Sequence, residues 1–192
     1  MTSGDLLKEL TSGDDARAEA AACQVAALGS QILPDLEALL SSPQVDSRWW
    51  AARALAEIDD PRVLQLLQTA LHDSDFSVRQ CAALGLRYQP DPRAVPDLVA
   101  MLDAEDRLLA RLAADALVAI GEAAVPALLE VMGNAPQAAR LEAVRALSRI
   151  GDQRSIPVLF AALDEASALV EYWADHGLER MGIGMVFYRP GS

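Results

Sequence analysis

Alanine and leucine recur along this chain at intervals of 30 or 31 residues. Six four-residue segments, which start at residues 18, 48, 79, 110, 140 and 171, all end in alanine. Four residues after that alanine, five copies have leucine and the first copy has valine. A repeat this short predicts a solenoid, in which each unit buries its apolar side only against its neighbours.

Each repeat predicts two helices, of which the second carries the recurring alanine. With the start of each segment counted as position zero, apolar residues at positions three, six, seven and ten form one helical stripe. In the fifth copy these residues are Ala143, Ala146, Leu147 and Ile150. The second helix is expected to begin four residues before position zero, where Asp and Ser accept N–H groups of a first turn and proline suits position N1. That column holds Asp14, Gln44, Asp75, Asp106, Pro136 and Ser167.

Glycine and proline mark the other helix ends. Glycine suits the left-handed residue that follows a helix, and position eleven holds Gly29, Gly121, Gly151 and Gly182. The second and third copies have Asp59 and Pro90 there, so those two helices are expected to end differently. The first helix of a unit is expected to start near a proline, at Pro34, Pro96, Pro126 and Pro157, and slightly earlier at Pro61. Ser3 is expected to cap the first helix of the chain.

The pattern therefore predicts an all-α, right-handed superhelix of six helical hairpins, with about twelve helices in antiparallel pairs. The units span residues 3–31, 32–60, 61–90, 91–121, 122–151 and 152–182, within one array over residues 1–182. Residues 183–192, which include Met185, Val186, Phe187 and Tyr188, do not follow the repeat. We expect this apolar tail to fold back over the last repeat, or to dock onto another copy or a partner.

Composition agrees with a solenoid whose core is built from small aliphatic side chains. Of 192 residues, 52% are hydrophobic but only 5% are aromatic, and no linker divides the chain into further domains. Cys23 and Cys81 lie in different repeats, so we expect no disulfide framework and a reducing, cytoplasmic location. The first residues are polar and acidic, which predicts no signal peptide, and no apolar run approaches the roughly 20 residues that span a bilayer.

The net charge of −12 narrows the expected partners. A field of this sign repels nucleic acid and anionic lipid at long range. We therefore expect a protein partner, and neither nucleic acid nor a membrane. Association with a second copy through residues 183–192 is an open alternative.

The repeat resembles the HEAT-repeat family, and more closely the short bacterial HEAT-like repeats first described in phycobilisome lyases. The likeness is carried by residues 75–79 with 82–84 and by residues 150–157, and Arg62 and Arg93 repeat the arginine of that last segment. It extends over residues 3–182, nearly the whole chain. The resemblance implies the solenoid fold, with the second helices lining a concave groove. Lyases of this type attach or remove bilin chromophores on antenna subunits.

Positions one, five and eight of each second helix lie away from the apolar stripe and are expected to line that groove. The predicted partner-binding residues are Trp49, Arg53, Arg87, Arg111, Asp115, Arg145, Tyr172 and His176. Arginine and aromatic residues are enriched at binding hot spots. The alternative is that these arginines form ion pairs within the chain, for example Arg111 with Asp115.

Other conspicuous side chains are interpreted as structural. Arg48, Arg79 and Arg140 occupy position zero, and we expect them to bond neighbouring loops and carboxylates and so hold repeats together. Trp50 and Trp173 share a column at the edge of the core and are expected to pack there. Trp49, next to Trp50, is the better candidate for a partner contact.

The sequence offers no convergent reactive group, so we assign no catalytic residue, cofactor or metal. His72 and His176 lie in separate repeats and form no metal cluster. The main interpretation is a non-catalytic scaffold or adaptor that binds a protein in the groove. The alternative is a bilin lyase-type enzyme or a chaperone of a chromophore protein. A remote alternative is a HEAT-like DNA glycosylase, whose Trp, Asp and Arg inventory is matched by Trp49, Asp115 and the groove arginines.

Overall fold

The computed structural model describes residues 2–183, and every regular element in this range is helical. The described range holds six helical hairpins, so the all-α solenoid that the repeat predicts is confirmed. The helices are α1 (Ser3–Leu10), α2 (Asp15–Gln24), α3 (Leu33–Leu40), α4 (Val45–Leu55), α5 (Arg62–Leu71), α6 (Phe76–Tyr88), α7 (Val95–Ala100), α8 (Arg107–Ile120), α9 (Val125–Asn134), α10 (Gln137–Ile150), α11 (Ile156–Ala162) and α12 (Ala168–Arg180).

The second helix of each hairpin, which has the even number, forms the inner layer of the stack. Contacts between successive even-numbered helices, such as α6 with α8 and α10 with α12, are more extensive than those between successive odd-numbered helices. The larger interfaces join elements of the same or the adjacent unit only. Closer packing on one side makes that side concave, so the even-numbered helices line the groove.

The apolar stripe predicted from the repeat is the core of the solenoid. The alanines at position three, such as Ala82, Ala113 and Ala143, have no exposed surface. The leucine or valine at position seven is also buried in all six copies, from Val25 to Leu178. Alanine is small enough to let adjacent helices approach closely, which explains why one residue type fills this position throughout.

The column predicted to start the second helices provides the N-cap residue in all six of them. Asp106, for example, accepts hydrogen bonds from the N–H groups of Leu108 and Leu109 at 2.9 and 3.2 Å. These bonds satisfy donors that the first helical turn leaves without a partner. Pro136 lies at the N-cap of α10 rather than at position N1.

The cap predicted for α1 is wrong by one residue. The hydroxyl of Thr2, not of Ser3, accepts from the N–H of Asp5, and the Asp5 carboxylate accepts in return from the Thr2 N–H. The reciprocal bonds between Thr2 and Asp5 form a capping box. Ser3 instead donates to the carboxylate of Asp35 in the next unit, at 2.5 Å.

Helix α4 lacks a terminal glycine, and the carbonyls at its C-terminal end are capped by a side chain of the neighbouring repeat. The Nε2 amide of Gln89 donates to the carbonyls of Leu55, Ala56 and Ile58 at 3.2, 2.8 and 2.9 Å. Carbonyls at the end of a helix have no partner within the helix. The glutamine thus replaces the glycine-based ending found in other copies, and it joins the second unit to the third.

The arginines at position zero hold loops together, as predicted. Arg48 forms a two-pronged ion pair with Asp73 of the next unit, with N–O distances of 2.7 and 2.9 Å. Arg140 pairs through one guanidinium nitrogen with Glu165, which is also 25 residues further along the chain. Arg79 donates to the carbonyls of Asp73 and Ser74. Position zero therefore fixes the turns that precede the second helices.

One stretch is more apolar than the sequence analysis allowed. Arg107–Asn134 has a mean hydropathy of 1.8 over its most apolar window, enough by length and composition for a membrane-spanning helix. The structure divides it into α8 and α9, separated at Gly121, where φ is 77°. Both helices pack against α10, and their buried leucines and alanines, such as Leu117 and Leu128, belong to the core of the solenoid.

The apolar tail assigned to residues 183–192 lies outside the described residues, except for Ile183. The N–H of Ile183 donates to the carbonyl of Leu178 at 2.9 Å. Its side chain packs, partly buried, against the core.

Candidate binding groove

The eight predicted partner-binding residues all lie on even-numbered helices, but they differ in exposure. Arg87 on α6, and Arg111 on α8, are exposed. Trp49, Arg53, Asp115 and His176 are partly buried, Tyr172 is 57% exposed, and Arg145 is only 3% exposed. The groove is therefore not lined by all four predicted arginines.

Arg53 is held by carboxylates of its own chain. Its guanidinium lies 2.5 Å from Glu19 on α2 and 2.6 Å from Glu57 just after α4. Burial opposes the charge of Arg53, but hydrogen bonds from Glu57 and Glu19 outweigh it and raise the pKa of the guanidinium. Arg53 thus links the first two units and is not an unpaired groove cation.

Arg145 belongs to a buried ionic cluster, the Asp115 cluster, which consists of Asp115, Glu142, Arg145 and Arg149. Arg145 lies 2.8 Å from both Asp115 and Glu142 and donates to the carbonyl of Arg111 at 3.0 Å. Arg149 also pairs with Asp115. The predicted exposure of Arg145 in the groove is wrong, because these acceptors hold it beneath the surface between α8 and α10.

The ionisation of Asp115 is set by this cluster. Burial raises the pKa of the carboxyl, but the guanidiniums of Arg145 and Arg149 lower it further than burial raises it. The alternative pair that the sequence suggested, Arg111 with Asp115, does not form. Both guanidiniums donate to the same oxygen, Oδ1, so Asp115 forms structural ion pairs that join α8 to α10.

Arg87 and Arg111 remain as the cations of the groove. Neither side chain forms an ion pair or a hydrogen bond within residues 2–183. They lie on the adjacent helices α6 and α8, at positions eight and one of successive repeats. The groove therefore presents two guanidiniums that the described chain does not neutralise.

The aromatic residues predicted for the groove lie near opposite ends of the array. Trp49 packs edge-to-face on Trp50, with ring centroids 4.7 Å apart, and both rings are partly buried against the core. Tyr172 stacks on His176 in parallel planes 6.1 Å apart between centroids, and Trp173 meets both rings edge-on. These two pairs do not form one aromatic site.

A cleft of about 500 Å³ between α4 and α6 was not predicted from the sequence. It is lined by Arg53, Ala56, Glu57, Cys81, Leu84, Gly85 and Tyr88. Tyr88 is 68% exposed and occupies position nine, which the sequence analysis did not assign to the groove. The sequence signal that could have indicated this cleft is Tyr88 itself, a large aromatic residue in the last turn of α6, directly after Arg87.

Two cysteines differ in accessibility, and neither is placed as a nucleophile. Burial raises the pKa of the Cys81 thiol to about 12, which keeps it protonated and unreactive near neutral pH. Cys23 is exposed and donates weakly to Glu19. Within the described range, no group of three or more His, Cys, Asp or Glu residues has the arrangement of a metal site.

Comparison with known proteins places this geometry in a family. A family model described as HEAT repeats matches residues 4–87, 66–139 and 95–179. The bilin biosynthesis protein RpcF of Synechococcus sp. (strain WH8020) is 44% identical over 82 residues, which are 42% of this chain and 39% of that protein. The phycocyanobilin lyase subunit beta of Nostoc sp. (strain PCC 7120) is 38% identical over 77 residues, or 40% of this chain and 38% of that protein. The matches thus span about two fifths of these relatives.

Solved structures agree on the fold. The complex of CpcE and CpcF of phycocyanin lyase from Nostoc sp. PCC7120 matches 95% of this chain and 77% of that chain, with a TM-score of 0.57 and 23% identity. A designed armadillo repeat protein in complex with the peptide (KR)4 matches 92% of this chain and 98% of that chain, with a TM-score of 0.50 and 18% identity. At such identities the likeness establishes architecture alone.

The relatives overturn the interpretation of the chain as a non-catalytic scaffold. These relatives are named as a bilin biosynthesis protein and as phycocyanobilin lyases or their subunits, which supports the bilin-lyase alternative instead. The sequence analysis ranked that alternative second because no reactive group marks it. Since the family model accounts for nearly the whole repeat array, from residue 4 to residue 179, the chain belongs to the HEAT-repeat family.

Proposed function

We propose that this chain is a bilin lyase-type protein, which handles a bilin chromophore during its attachment to, or removal from, an antenna subunit. The observation that carries the proposal is its identity of 34–44% to five curated proteins of bilin biosynthesis and phycocyanobilin attachment. Each match extends over 76–89 residues, which is between two and three repeats.

The groove has the chemistry that a bilin requires. A bilin is a conjugated linear tetrapyrrole that carries propionate carboxylates, so it needs an apolar surface next to cationic groups. The cleft between α4 and α6 presents Leu84, Ala56 and the exposed ring of Tyr88. Its volume of about 500 Å³ lies within the usual range for small-molecule sites. Arg87 and Arg111 supply guanidiniums suited to bidentate carboxylate binding.

The groove residues would bind and orient the chromophore rather than bond to it. Cys81, the one thiol in the cleft, is protonated and buried, and the acceptor thiol would come from the antenna subunit. The CpcE–CpcF neighbour is a complex of two proteins. We therefore also propose that this chain works together with a second protein subunit.

Bilin binding is the first test. The purified chain is titrated with phycocyanobilin and followed by visible absorption and induced circular dichroism. Arg87→Ala and Arg111→Ala should each weaken binding by about 10- to 100-fold, because each removes a charge-assisted hydrogen bond worth about 1.5–3 kcal/mol. Arg62→Ala is the matched control, since Arg62 is exposed on α5 and pairs with Asp60. No spectral change with the unsubstituted chain, or equal effects of all three substitutions, would contradict the binding site.

Chromophore transfer is the second test. The chain is incubated with phycocyanobilin and an apo-phycocyanin subunit, alone and together with its candidate second subunit. We expect a visible absorption band that remains with the phycocyanin polypeptide under denaturing conditions. The control omits the chain. If no band appears in either mixture, the lyase proposal fails.

A further inference from the structure

Among the described residues that line the cleft between α4 and α6, Glu57 is the one anionic side chain. Arg53 donates to one oxygen of the Glu57 carboxylate at 2.6 Å, and no described residue donates to the second oxygen. Both oxygens of an ionised carboxylate accept hydrogen bonds. Glu57 therefore retains acceptor capacity for a ligand that enters the cleft.

The surroundings of Glu57 also retain negative charge. The guanidinium of Arg53 is shared between Glu57 and Glu19, which lies 2.5 Å from it. One cation thus faces two carboxylates, and the three side chains together carry an excess negative charge. Because an opposite charge nearby favours the charged form of a group, this cleft favours a ligand that is cationic where it meets Glu57.

The backbone carbonyls at the end of α4 are already engaged. The Nε2 amide of Gln89 donates to the carbonyls of Leu55, Ala56 and Ile58. Polar groups that become buried need hydrogen-bond partners. The donors of a ligand in this cleft are therefore directed to the carboxylate of Glu57.

A bilin carries such donors along the inner edge of its conjugated rings. Its pyrrole-type rings hold N–H groups and one imine nitrogen, and a proton taken from the buffer at that nitrogen gives a cation. A carboxylate beside these nitrogens accepts from the N–H groups and stabilises the protonated form. Tyr88, which is 68% exposed in the same cleft, supplies an aromatic face for the planar rings.

The charges around the cleft give the ligand a direction. A second cleft, of about 570 Å³, shares Glu57 and Tyr88 with the first. Its lining has more carboxylates than cations, with Asp59, Asp60 and Asp91 against Arg93. The propionate carboxylates of a bilin are repelled there, and are attracted to the other side of Tyr88, where Arg87 precedes it on α6.

We propose, on the basis of the function proposed above, that Glu57 binds the bilin at its pyrrole nitrogens in the protonated form and that Tyr88 stacks on the rings. Arg53 is a positioning residue, which holds the Glu57 carboxylate through one oxygen. The cleft thereby selects the protonated chromophore and orients its propionates towards Arg87.

A pH titration of the bound chromophore tests the role of Glu57. The full chain is mixed with phycocyanobilin, and the long-wavelength absorption band, which responds to protonation of the bilin, is followed as the pH is raised. Glu57→Gln should lower the midpoint of this transition by about one pH unit or more, because loss of the opposite charge disfavours the bilin cation. Glu57→Asp, which retains the charge, should lower the midpoint less.

Glu130→Gln is the matched control for Glu57→Gln, since Glu130 is exposed on the outer helix α9. It should leave the midpoint unchanged. Thermal denaturation of each variant verifies that it is folded.

Substitution of Tyr88 tests the stacking. Tyr88→Leu should weaken phycocyanobilin binding by about 2- to 12-fold, because an aromatic contact is replaced by an aliphatic one. Phe76→Leu is the matched control, since Phe76 is 58% exposed at the opposite end of α6. Equal effects of the two substitutions would overturn the stacking.

Two results distinguish a failure of this site from a failure of the proposed function. If phycocyanobilin binds with the same protonation midpoint to the unsubstituted chain and to Glu57→Gln, the role of Glu57 is overturned and the bilin-lyase proposal stands. If phycocyanobilin does not bind the unsubstituted chain, both are overturned.

Discussion

Arg145 is the most deeply buried charged side chain in the described part of the chain. Removing a guanidinium from water is costly, and the cost is offset only when its donors find acceptors. Arg145 has three: the carboxylates of Asp115 and Glu142 and the carbonyl of Arg111. The repeat pattern assigned Arg145 to partner binding. These contacts show that it instead links α8 to α10.

Arg145→Ala should therefore destabilise the fold strongly. Breaking a buried ion pair from one side costs about 3–5 kcal/mol, because the remaining charges stay buried without a partner. The free energy of unfolding, measured by urea denaturation, reports this loss. Arg154→Ala is the control, since Arg154 is half exposed and pairs with Asp152 at the surface, where such pairs contribute about 0–1 kcal/mol. Equal losses would show that the Asp115 cluster is not buried in solution.

Asp115 should make the free energy of unfolding depend on pH in the acidic range. Although burial raises the pKa of Asp115, the guanidiniums of Arg145 and Arg149 hold it below the usual value for an aspartate. The contribution of Asp115 to stability is therefore complete above that usual value and is lost as the pH falls towards the folded pKa. In urea denaturation between pH 5 and pH 2.5, Asp115→Asn should flatten the decline in unfolding free energy. Asp46→Asn, at an exposed position on α4, should leave the decline unchanged. An unaltered slope for Asp115→Asn would contradict the assignment.

At the scale of helices, stacking depends on how closely two backbones approach. Gly177 on α12 lies against α10, and a Cβ there would stand 2.9 Å from both Cα and Cβ of Ser148 and 3.1 Å from Leu159. Only glycine fits at this distance.

Gly177→Ala should separate α10 from α12. Overpacking of this kind costs about 1–3 kcal/mol, visible as a lower Tm and as increased proteolysis of the C-terminal unit. Gly133→Ala is the matched control, because a Cβ on Gly133 of α9 meets nothing within 4 Å. There the substitution should stabilise the helix by about 0.5–1 kcal/mol. A harmless Gly177→Ala would mean that α12 packs less tightly than described.

At the scale of the whole molecule, the units of residues 2–183 form a linear stack. Its larger interfaces join adjacent units only, and α2 packs on α4 less extensively than α6 does on α8. In such an array, stability is the sum of unit terms and nearest-neighbour interfaces. The end units have one interface each and should open first.

Hydrogen exchange followed by mass spectrometry tests this gradient. The amides of α2 should exchange at least about tenfold faster than those of α8, because local opening costs less where fewer interfaces break. Peptides from α6 and α8 serve as internal references for each other, since both helices are central. Uniform protection along the chain would indicate one cooperative globule rather than a stack.

Much of this architecture follows from the sequence alone. The repeat interval, the buried alanine at position three and the cap column at Asp14, Asp75 and Asp106 each depend on neighbours in sequence or on one helical period. Such patterns are local, so they identify helices, their ends and the stripe that faces the core. They also carry the family resemblance.

Only the tertiary structure decided which arginine side chains of the groove are available to a ligand. Arg53 and Arg145 occupy the same helical position as predicted, yet each meets a carboxylate 30 or more residues away, whereas Arg87 and Arg111 do not. The repeat assigns all four arginines to positions away from the apolar stripe, but the partner of a long side chain depends on what the adjacent unit places opposite it. Sequence therefore determined the solenoid and its groove, and stacking of the units decided which residues the groove presents.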